Sequence, residues 1–180
     1  MFEQIQSFYE KANHLEIRYW LDHDLFSIHW WVILLINLLF LILFVFLIDK
    51  NRILVMTIAF LLSFISIGYI DELGLYFNFW TYPHEFFAPL KTANAVDFLC
   101  IPVVITLVYQ YVSRWKYFLF ISIIVFAIIS FICIPTFVYF DFYRINNWNY
   151  LWSFITLFII GLFVKTLTDF VYNKSKQQKY

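Results

Sequence analysis

Long apolar runs constrain this chain more than any other feature. The run 30–48 contains no charged residue and is interrupted only by Asn37. Runs of about 20 apolar residues match the hydrocarbon core of a bilayer, which is about 30 Å thick. The whole chain is 63% hydrophobic and only 13% charged, against roughly 25% charged residues in soluble domains. Its polar surface is too small for a water-soluble globule, so the sequence predicts an integral membrane protein.

Helices account best for these runs, because a helix satisfies all of its backbone polar groups within one segment. We predict an all-α bundle of five transmembrane helices, with spans at 30–48, 53–70, 97–113, 117–140 and 150–171. The turns between the first two spans and between the third and fourth are short, so the helices that they join should be antiparallel. Residues 28–172 would form this domain, and 173–180 would be a polar cytoplasmic tail.

The amino-terminal segment 1–27 has a different pattern. Over 2–20, apolar residues recur at helical spacing opposite charged ones, which predicts an amphipathic helix lying in the membrane interface, or else a solvated one. The stretch 19–31 follows with three tryptophans and two histidines, which is typical of an interfacial aromatic belt. His23 and His29 could be ligands, but interfacial hydrogen bonding is the favoured interpretation.

Basic residues predict the orientation, because they favour the cytoplasmic side of a membrane. With five spans, one side collects Lys50, Arg52, Arg114, Lys116, Lys174, Lys176 and Lys179. The other side collects Lys11, Arg18, Lys91 and Arg144. We therefore predict a cell-membrane protein with its amino terminus outside and its carboxyl terminus in the cytoplasm. Within the last span, Lys165 and Asp169 are four residues apart and should pair while the lysine snorkels.

The segment 71–97 is the only long polar interruption of the apolar sequence, and 71–96 is the predicted outer loop. Its aromatic residues should be ordered, since they would otherwise form an apolar patch facing water. Ionisable residues at bilayer depth are costly, which marks them as functional candidates. The candidate ligand-binding residues are Asp71, Glu72, Trp80, Tyr82, His84, Glu85 and Asp97. No catalytic role is assigned to any of them.

Asp71 and Asp97 stand out among these candidates because each adjoins the end of a predicted span. Asp97 has a structural alternative, since an acid at a helix start caps backbone N–H groups. Asp71 would stand at a helix end, where the dipole disfavours negative charge. Pro102 and Pro135 should each free a backbone carbonyl near the outer ends of their spans. Together these features predict a polar vestibule at the outer face, beneath the aromatic loop.

Several classes of site are not predicted. The acids and His84 match no metal-binding spacing, so no metal or cofactor is expected. Only three glycines occur, which disfavours a phosphate-binding loop. The basic residues are too few and too scattered for nucleic-acid binding. Cys100 and Cys133 lie in apolar runs and suggest no disulfide. The expected partners are membrane lipid and other membrane proteins.

The chain resembles a family of uncharacterised small membrane proteins of spore-forming Gram-positive bacteria. The resemblance covers nearly the whole chain through motifs at 19–31, 49–52, 71–83, 96–103, 108–116 and 147–154. It implies a multi-pass membrane fold and brings no assigned activity.

The central segment is also similar, more loosely, to the membrane-embedded lycopene cyclase domain. The correspondence runs through Asp71, Gly74, Trp80, Tyr82 and Glu85. This sequence departs from that domain where a proline is typically followed by paired glutamates, because His84 and Glu85 follow Pro83.

Three functions remain open on the sequence alone. The protein could bind a lipid-like or peptide ligand at the outer acidic and aromatic vestibule. It could instead be a membrane-embedded enzyme that acts on an isoprenoid-type substrate by carboxyl acid catalysis, with Asp71 or Glu85 as the proton donor. It could also be a small-solute transporter subunit, although charges are almost absent from the middle of the spans.

Overall fold

The computed structural model of the protein describes residues 1–95 and 97–177, without the side chains at 92, 93 and 176. The chain is predominantly helical, as predicted. Its helices are α1 Phe2–Tyr19, α2 Ile28–Leu47, α3 Ile53–Tyr76, α4 Cys100–Tyr111, α5 Trp115–Ile128, α6 Ile134–Tyr139 and α7 Tyr150–Gln177. Two short strands, β1 Trp80–Thr81 and β2 Arg144–Ile145, pair antiparallel.

Four helical segments of the described chain are long and apolar enough to cross a membrane. They are Ile28–Leu47, Lys50–Tyr76, Trp115–Tyr139 and Tyr150–Ser175. The third is α5 and α6 joined by the π-helical turn Ile129–Cys133. In place of a fifth long helix at 97–113 the structure has α4, which has 12 residues and at 1.5 Å per residue extends about 18 Å. The region beyond 171 is still helical as far as Gln177.

One end of the bundle, here called the turn end, gathers the short connections. Gln110 accepts a hydrogen bond from the backbone N–H of Asp49 over 2.8 Å and donates one to the Leu47 carbonyl over 2.8 Å. The Lys165 ammonium donates to the Ser113 carbonyl over 3.1 Å. These bonds bring together the connection after α2, the connection after α4 and the far part of α7.

Lys165 also forms the predicted pair with Asp169, with an N–O distance of 3.1 Å. The snorkelling prediction was wrong, because the Lys165 side chain is only 1% exposed. Its ammonium lies 5.1–5.2 Å from the ring centres of Tyr109, Trp115 and Phe118. The cation is therefore enclosed by the corner between α4 and α5 and helps to hold α7 against that corner.

The opposite end, here called the loop end, contains the long connections 77–99 and 140–149. Strand β1 comes from the first connection and β2 from the second, with Trp80 opposite Ile145. The Asn146 N–H donates a further bond to the Phe79 carbonyl over 2.9 Å. The connections after α3 and α6 are thus tied to one another above the helices.

Helix α4 is at the centre of the bundle, and most of its residues are buried. It packs against α3, and α3 in turn packs against α7. The shared core is apolar, and its fully buried members include Met56, Ala59, Ile105, Phe118, Phe126 and Val164. Ala59 of α3 is fully buried in this core, and its small side chain allows a neighbouring helix to approach closely.

The connection before α4 descends from the loop end into the bundle. The Leu99 N–H donates a hydrogen bond over 2.7 Å to Oδ1 of Asn37, which lies halfway along α2. Phe98 lies edge-on to Phe64, halfway along α3, with ring centres 5.0 Å apart. The non-helical chain therefore reaches the middle of the helices before α4 begins, and α4 covers the remaining distance to the turn end.

The two prolines affect the backbone differently from each other. Pro102 lies in the first turn of α4. On either side of it, the Ile101 N–H bonds to the Asp97 carbonyl over 3.2 Å and the Val103 N–H bonds to the Leu99 carbonyl over 3.1 Å. The Phe98 carbonyl therefore lacks the bond that a non-proline residue at 102 would donate, as predicted. Pro135 follows the π-helical turn Ile129–Cys133, in which the widened backbone accommodates the lost hydrogen bond.

Candidate functional site

Asp71 is the buried acid at the loop end. Helix α3 continues past the predicted end at 70 to Tyr76, so Asp71 lies inside the helix and not at its terminus. The residue is 9% exposed. Its Oδ1 accepts the indole N–H of Trp80 over 3.0 Å and the phenolic hydroxyl of Tyr82. Its Oδ2 is buried and has no hydrogen-bond partner among the described residues.

Trp80 reaches Asp71 because Gly74 leaves room for the indole. A Cβ atom at Gly74 would lie 2.0 Å from Cζ2 of Trp80, far inside van der Waals contact. Trp80 is 6% exposed, so the ring is packed against α3 and not directed into solvent. The glycine is therefore needed for close packing of the loop on α3, one turn after Asp71.

Two similar helix ends direct the loops over the bundle. Asn78 follows α3 with φ of 54°, and Asp141 follows α6 with φ of 60°. The N–H of Phe79 bonds to the Gly74 carbonyl over 2.8 Å, and that of Phe142 bonds to the Phe137 carbonyl over 2.9 Å. This six-to-one bonding is the Schellman cap, and Asn and Asp tolerate its left-handed residue better than most. The caps turn the chain into β1 and β2.

The caps and strands enclose a cavity beside Asp71, here called the Asp71 cavity. Its empty volume, including the open mouth, is about 800 Å³. Its polar and larger aromatic lining residues are Asp71, Trp80, Tyr82, Asp97, Tyr143, Trp148, Ser153 and Thr156. Its deeper apolar lining includes Ile67, Ile101, Ile134, Leu157 and Ile160. The cavity thus joins an acidic, aromatic mouth to an apolar interior formed by α3, α4, α6 and α7.

The rings at the mouth form a continuous wall. Trp80 and Trp148 meet edge to face with centres 5.3 Å apart, and Trp80 and Tyr143 are 6.3 Å apart. The Tyr82 and Tyr143 ring centres are 5.6 Å apart. Burial, followed by the charge of Asp71, raises the pKa of Tyr82 well above its ordinary value. Burial, followed by the charge of Asp97, likewise raises the pKa of Tyr143, so both phenols remain hydrogen-bond donors.

Asp97 does not cap the start of a helix, as it would if a span began at 97. The residue immediately before α4 is Leu99, so Asp97 is not the helix cap. The backbone carbonyl of Asp97 accepts the N–H of Ile101 over 3.2 Å. Asp97 also lines the Asp71 cavity. The predicted capping interpretation was therefore wrong, and the two predicted acids share one cavity.

His84 and Glu85 belong to a second site, here called the Asp24 cluster, which consists of Asp24, His29, His84 and Glu85. Asp24 is fully buried at the end of the π-helical turn after α1. Its Oδ1 lies 2.9 Å from Nδ1 of His84, and its Oδ2 accepts the Glu85 backbone N–H over 2.9 Å. The His29 ring stacks on His84 with centres 3.7 Å apart. The cluster fixes the loop to the start of α2.

The Glu85 side chain connects the loop to α1. Its carboxyl interacts with that of Glu16, while its Oε2 is buried without a partner among the described residues. Burial, followed by the charge of Glu16, raises the pKa of Glu85 to about 8. Lys91 lies 3.1 Å from Glu16. Nearby, the indole N–H groups of Trp20 and Trp30 both donate to the Phe86 carbonyl.

The seven candidate residues thus separate into three groups. Asp71, Trp80, Tyr82 and Asp97 meet in the Asp71 cavity. His84 and Glu85 lie in the Asp24 cluster. Glu72, the neighbour of Asp71, is exposed. Of the two histidines considered as ligands, His29 contacts His84 and His23 stacks on Tyr19.

Sequence reasoning missed Tyr143 and Trp148 in the cavity and Asp24 in the second cluster. A signal for the first two was present, because the connection 140–149 is rich in aromatic residues and lies on the same predicted side as the central loop. Asp24 had no distinguishing signal, since an acid near an amphipathic helix is usually solvated. Its burial depends on the loop returning to it some 60 residues later.

The fold and cavity define a class of protein: a helical bundle with four helices that could cross a membrane and an acidic, aromatic cavity at one end. Comparison with known proteins adds no relative, since no family model, curated protein or solved structure matches the chain.

Proposed function

We propose that this protein is a multi-pass integral membrane protein that binds a lipid-like ligand in the Asp71 cavity. The observation that carries the proposal is Oδ2 of Asp71, a buried acceptor without a partner among the described residues in the wall of a cavity. Buried polar atoms in native proteins are almost always satisfied. A ligand that enters the cavity could supply the missing donor.

The shape and lining of the cavity favour a lipid-like ligand over a peptide. Its interior is formed by isoleucine and leucine side chains of the long helices, which would match an apolar chain. Polar side chains are concentrated at the mouth, where a headgroup would lie. A peptide would bring backbone groups that this interior offers few ways to satisfy.

We further propose five crossings, with α4 completing the third. The non-helical chain before α4 reaches the middle of α2 and α3, and α4 then reaches the turn end. Irregular backbone at membrane depth is tolerated where protein surrounds it. By the bias of basic residues, the loop end would face outside and the turn end would face the cytoplasm of a cell-membrane protein.

Single cysteines at Leu90 and Lys174, both exposed, test the number of crossings. Five crossings place the two positions on opposite faces, whereas an α4 that does not cross places them on the same face. An impermeant thiol reagent on intact cells should therefore label Leu90→Cys and leave Lys174→Cys unlabelled until the cells are opened. The unsubstituted chain, with buried Cys100 and half-buried Cys133, is the blank. Labelling of both on intact cells would exclude the five-crossing arrangement.

Native mass spectrometry of protein purified in mild detergent tests the ligand proposal. Wild type should retain a co-purified lipid-like molecule that Asp71→Asn loses. Glu72→Gln is the matched control, because it removes the neighbouring exposed carboxylate of the same helix. The absence of any retained molecule in wild type would contradict the proposal, and equal retention by all three proteins would contradict the role of Asp71 in it.

The same unpartnered oxygen favours a second candidate, a membrane-embedded enzyme acting on an isoprenoid-type substrate by carboxyl acid catalysis. A proton on Oδ2 of Asp71 would face an apolar cavity, and the rings of Trp80 and Trp148 could stabilise a developing carbocation. Incubation with lycopene followed by chromatography tests this candidate. A cyclised product that depends on Asp71 would favour the enzyme over the binding protein.

A further inference from the structure

The hydrogen bonds of Asp71 indicate what the missing partner must be. Oδ1 already accepts two donors, the indole of Trp80 and the phenol of Tyr82. Oδ2 is buried, and the described residues supply no donor to it. A carboxylate oxygen is an acceptor only. An occupant that satisfies the ionised carboxylate must therefore carry a hydrogen-bond donor.

The negative charge on the cavity wall also has no positive counter-charge among the described lining residues. Two carboxylates, those of Asp71 and Asp97, lie on its wall, and no Lys, Arg or His is among its described lining residues. The basic residues of the two loops are engaged elsewhere. Arg144 binds Asp141 through two bonds of 3.0 and 3.1 Å, and Lys91 pairs with Glu16. A buried negative charge without a counter-charge is costly, so the missing partner should be cationic.

The aromatic wall fits a particular kind of cation. The rings of Trp80, Tyr82, Tyr143 and Trp148 surround the mouth, and the faces of such rings attract ammonium groups. A quaternary ammonium would satisfy the rings and the charge but would have no N–H for Oδ2. A primary ammonium satisfies all three. Below the mouth, the apolar interior would hold a hydrocarbon chain attached to that ammonium.

We infer that the Asp71 cavity selects amphiphiles with a primary ammonium headgroup, whose N–H donates to Oδ2 of Asp71 while the hydrocarbon chain lies among α3, α4 and α7. This inference rests on the proposed function and specifies its ligand class. The ammonium could belong to a membrane aminolipid or to a free long-chain amine, and the experiment includes an arm for each.

Delipidated full-length protein in detergent is offered an equimolar mixture of tetradecylammonium, tetradecyltrimethylammonium and tetradecanol, and bound species are counted by native mass spectrometry. Because the chains have equal length, the ratio of bound species reports the headgroup preference. A charge-assisted hydrogen bond should favour the primary ammonium over the alcohol by about tenfold or more. The quaternary ammonium should bind less than the primary one.

Asp71→Asn should reduce the ammonium-to-alcohol ratio to about one while retaining alcohol binding, since the asparagine side chain keeps an oxygen for Trp80 and Tyr82 but offers no negative charge. Glu72→Gln should retain the wild-type ratio. Asp97→Asn, a second cavity variant, should reduce the ratio in part. Circular dichroism melting checks that each variant is folded.

The outcomes distinguish a failure of the headgroup inference from a failure of the proposed lipid binding. Equal binding of the ammonium and the alcohol by wild type, or an unchanged ratio in folded Asp71→Asn, overturns the inference and leaves a lipid-binding cavity. If wild type binds none of the three probes, the proposed function fails as well. Displacement of tetradecylammonium by phosphatidylethanolamine identifies a lipid headgroup as the source. Displacement only by octylamine identifies a free amine.

Discussion

The backbone N–H of Leu99 donates a hydrogen bond to the side-chain oxygen of Asn37 over 2.7 Å. Asn37 also donates to the Ile33 carbonyl of its own helix over 2.9 Å. A lone asparagine in a long apolar helix is therefore the group that accepts the non-helical chain before α4. Apolar surroundings make such a bond important, because an unsatisfied amide there has no water molecule with which to form a hydrogen bond.

Replacing Asn37 by leucine should destabilise the protein even though leucine suits a membrane helix better. The change leaves the Leu99 N–H without its acceptor, at a cost of about 1–3 kcal/mol. We expect a lower thermal midpoint for Asn37→Leu in detergent. The control is Leu39→Ala on the exposed face of α2, where Leu39 is 52% exposed, and it should melt close to wild type. An unchanged midpoint in Asn37→Leu would mean that the bond does not anchor α4.

The two glycines of α3 should respond oppositely to alanine. At Gly74 a Cβ would lie 2.0 Å from the Trp80 ring, whereas at Gly68 it would meet nothing within 4 Å. Gly74→Ala should displace Trp80 and lower stability by about 1–3 kcal/mol. Gly68→Ala should be neutral or stabilising by up to about 1 kcal/mol, because alanine is the better helix former. Tryptophan fluorescence and thermal melting measure both, and similar effects of the two changes would contradict the close approach at Gly74.

The raised pKa of Glu85 predicts a stability that falls as pH rises. Glu85 has an ordinary value of 4.5 and a pKa of about 8 in the folded protein. Between these values the folded protein retains a proton that the unfolded chain has lost, so stability decreases with rising pH across that window. Burial is the first cause and repulsion from Glu16 the second. The contact between α1 and the loop should weaken accordingly.

Melting temperatures at roughly pH 5 and pH 8 test this prediction. Glu85→Gln, which cannot ionise, should lose less stability than wild type between the two conditions. Glu3→Gln, at an exposed acid of α1, should retain the wild-type pH dependence. If Glu85→Gln follows the wild-type curve, Glu85 does not keep its proton in the folded protein.

The Lys165–Asp169 pair predicts an order of stabilities among three variants. Asp169→Asn leaves the ammonium of Lys165, which is 1% exposed, without its counter-charge, and breaking such a pair costs about 3–5 kcal/mol when both partners are buried. Asp169 is 31% exposed, so we expect a smaller loss, about 1–3 kcal/mol. The double variant Lys165→Met, Asp169→Asn should be more stable than Asp169→Asn alone. Denaturation in detergent checks this order, and the reverse order would contradict it.

The sequence predicted the helices whose positions depend only on the length and hydrophobicity of their own segment. Length and hydrophobicity determine where α2, the joined α5 and α6, and α7 can form, and their predicted positions agree closely with the structure. The end of α3 was placed too early because Asp71 and Glu72 were interpreted as a boundary. Helix α3 continues to Tyr76, since Trp80 and Tyr82 hydrogen-bond Asp71 from outside the helix and Glu72 is exposed.

The candidate site was predicted in part, and the missing part is non-local. The aromatic residues and acids of one loop were recognised from composition, but their separation into two sites depends on partners from other segments. Asp24 draws His84 and Glu85 to α2, while Tyr143 and Trp148 complete the cavity around Asp71. Hydrophobic periodicity carries no information on such pairings, because they are determined by the three-dimensional path of the loops.

The 12-residue length of α4 has a consequence for biogenesis. A segment of this length is too short to partition into a bilayer as an independent span, and the extended chain before it exposes backbone groups that lipid cannot satisfy. Its acceptor on Asn37 and its ring contact with Phe64 belong to α2 and α3, which are synthesised earlier. In the proposed five-crossing arrangement, those two helices would therefore be inserted as a hairpin before α4 enters, and integration would follow the order of synthesis.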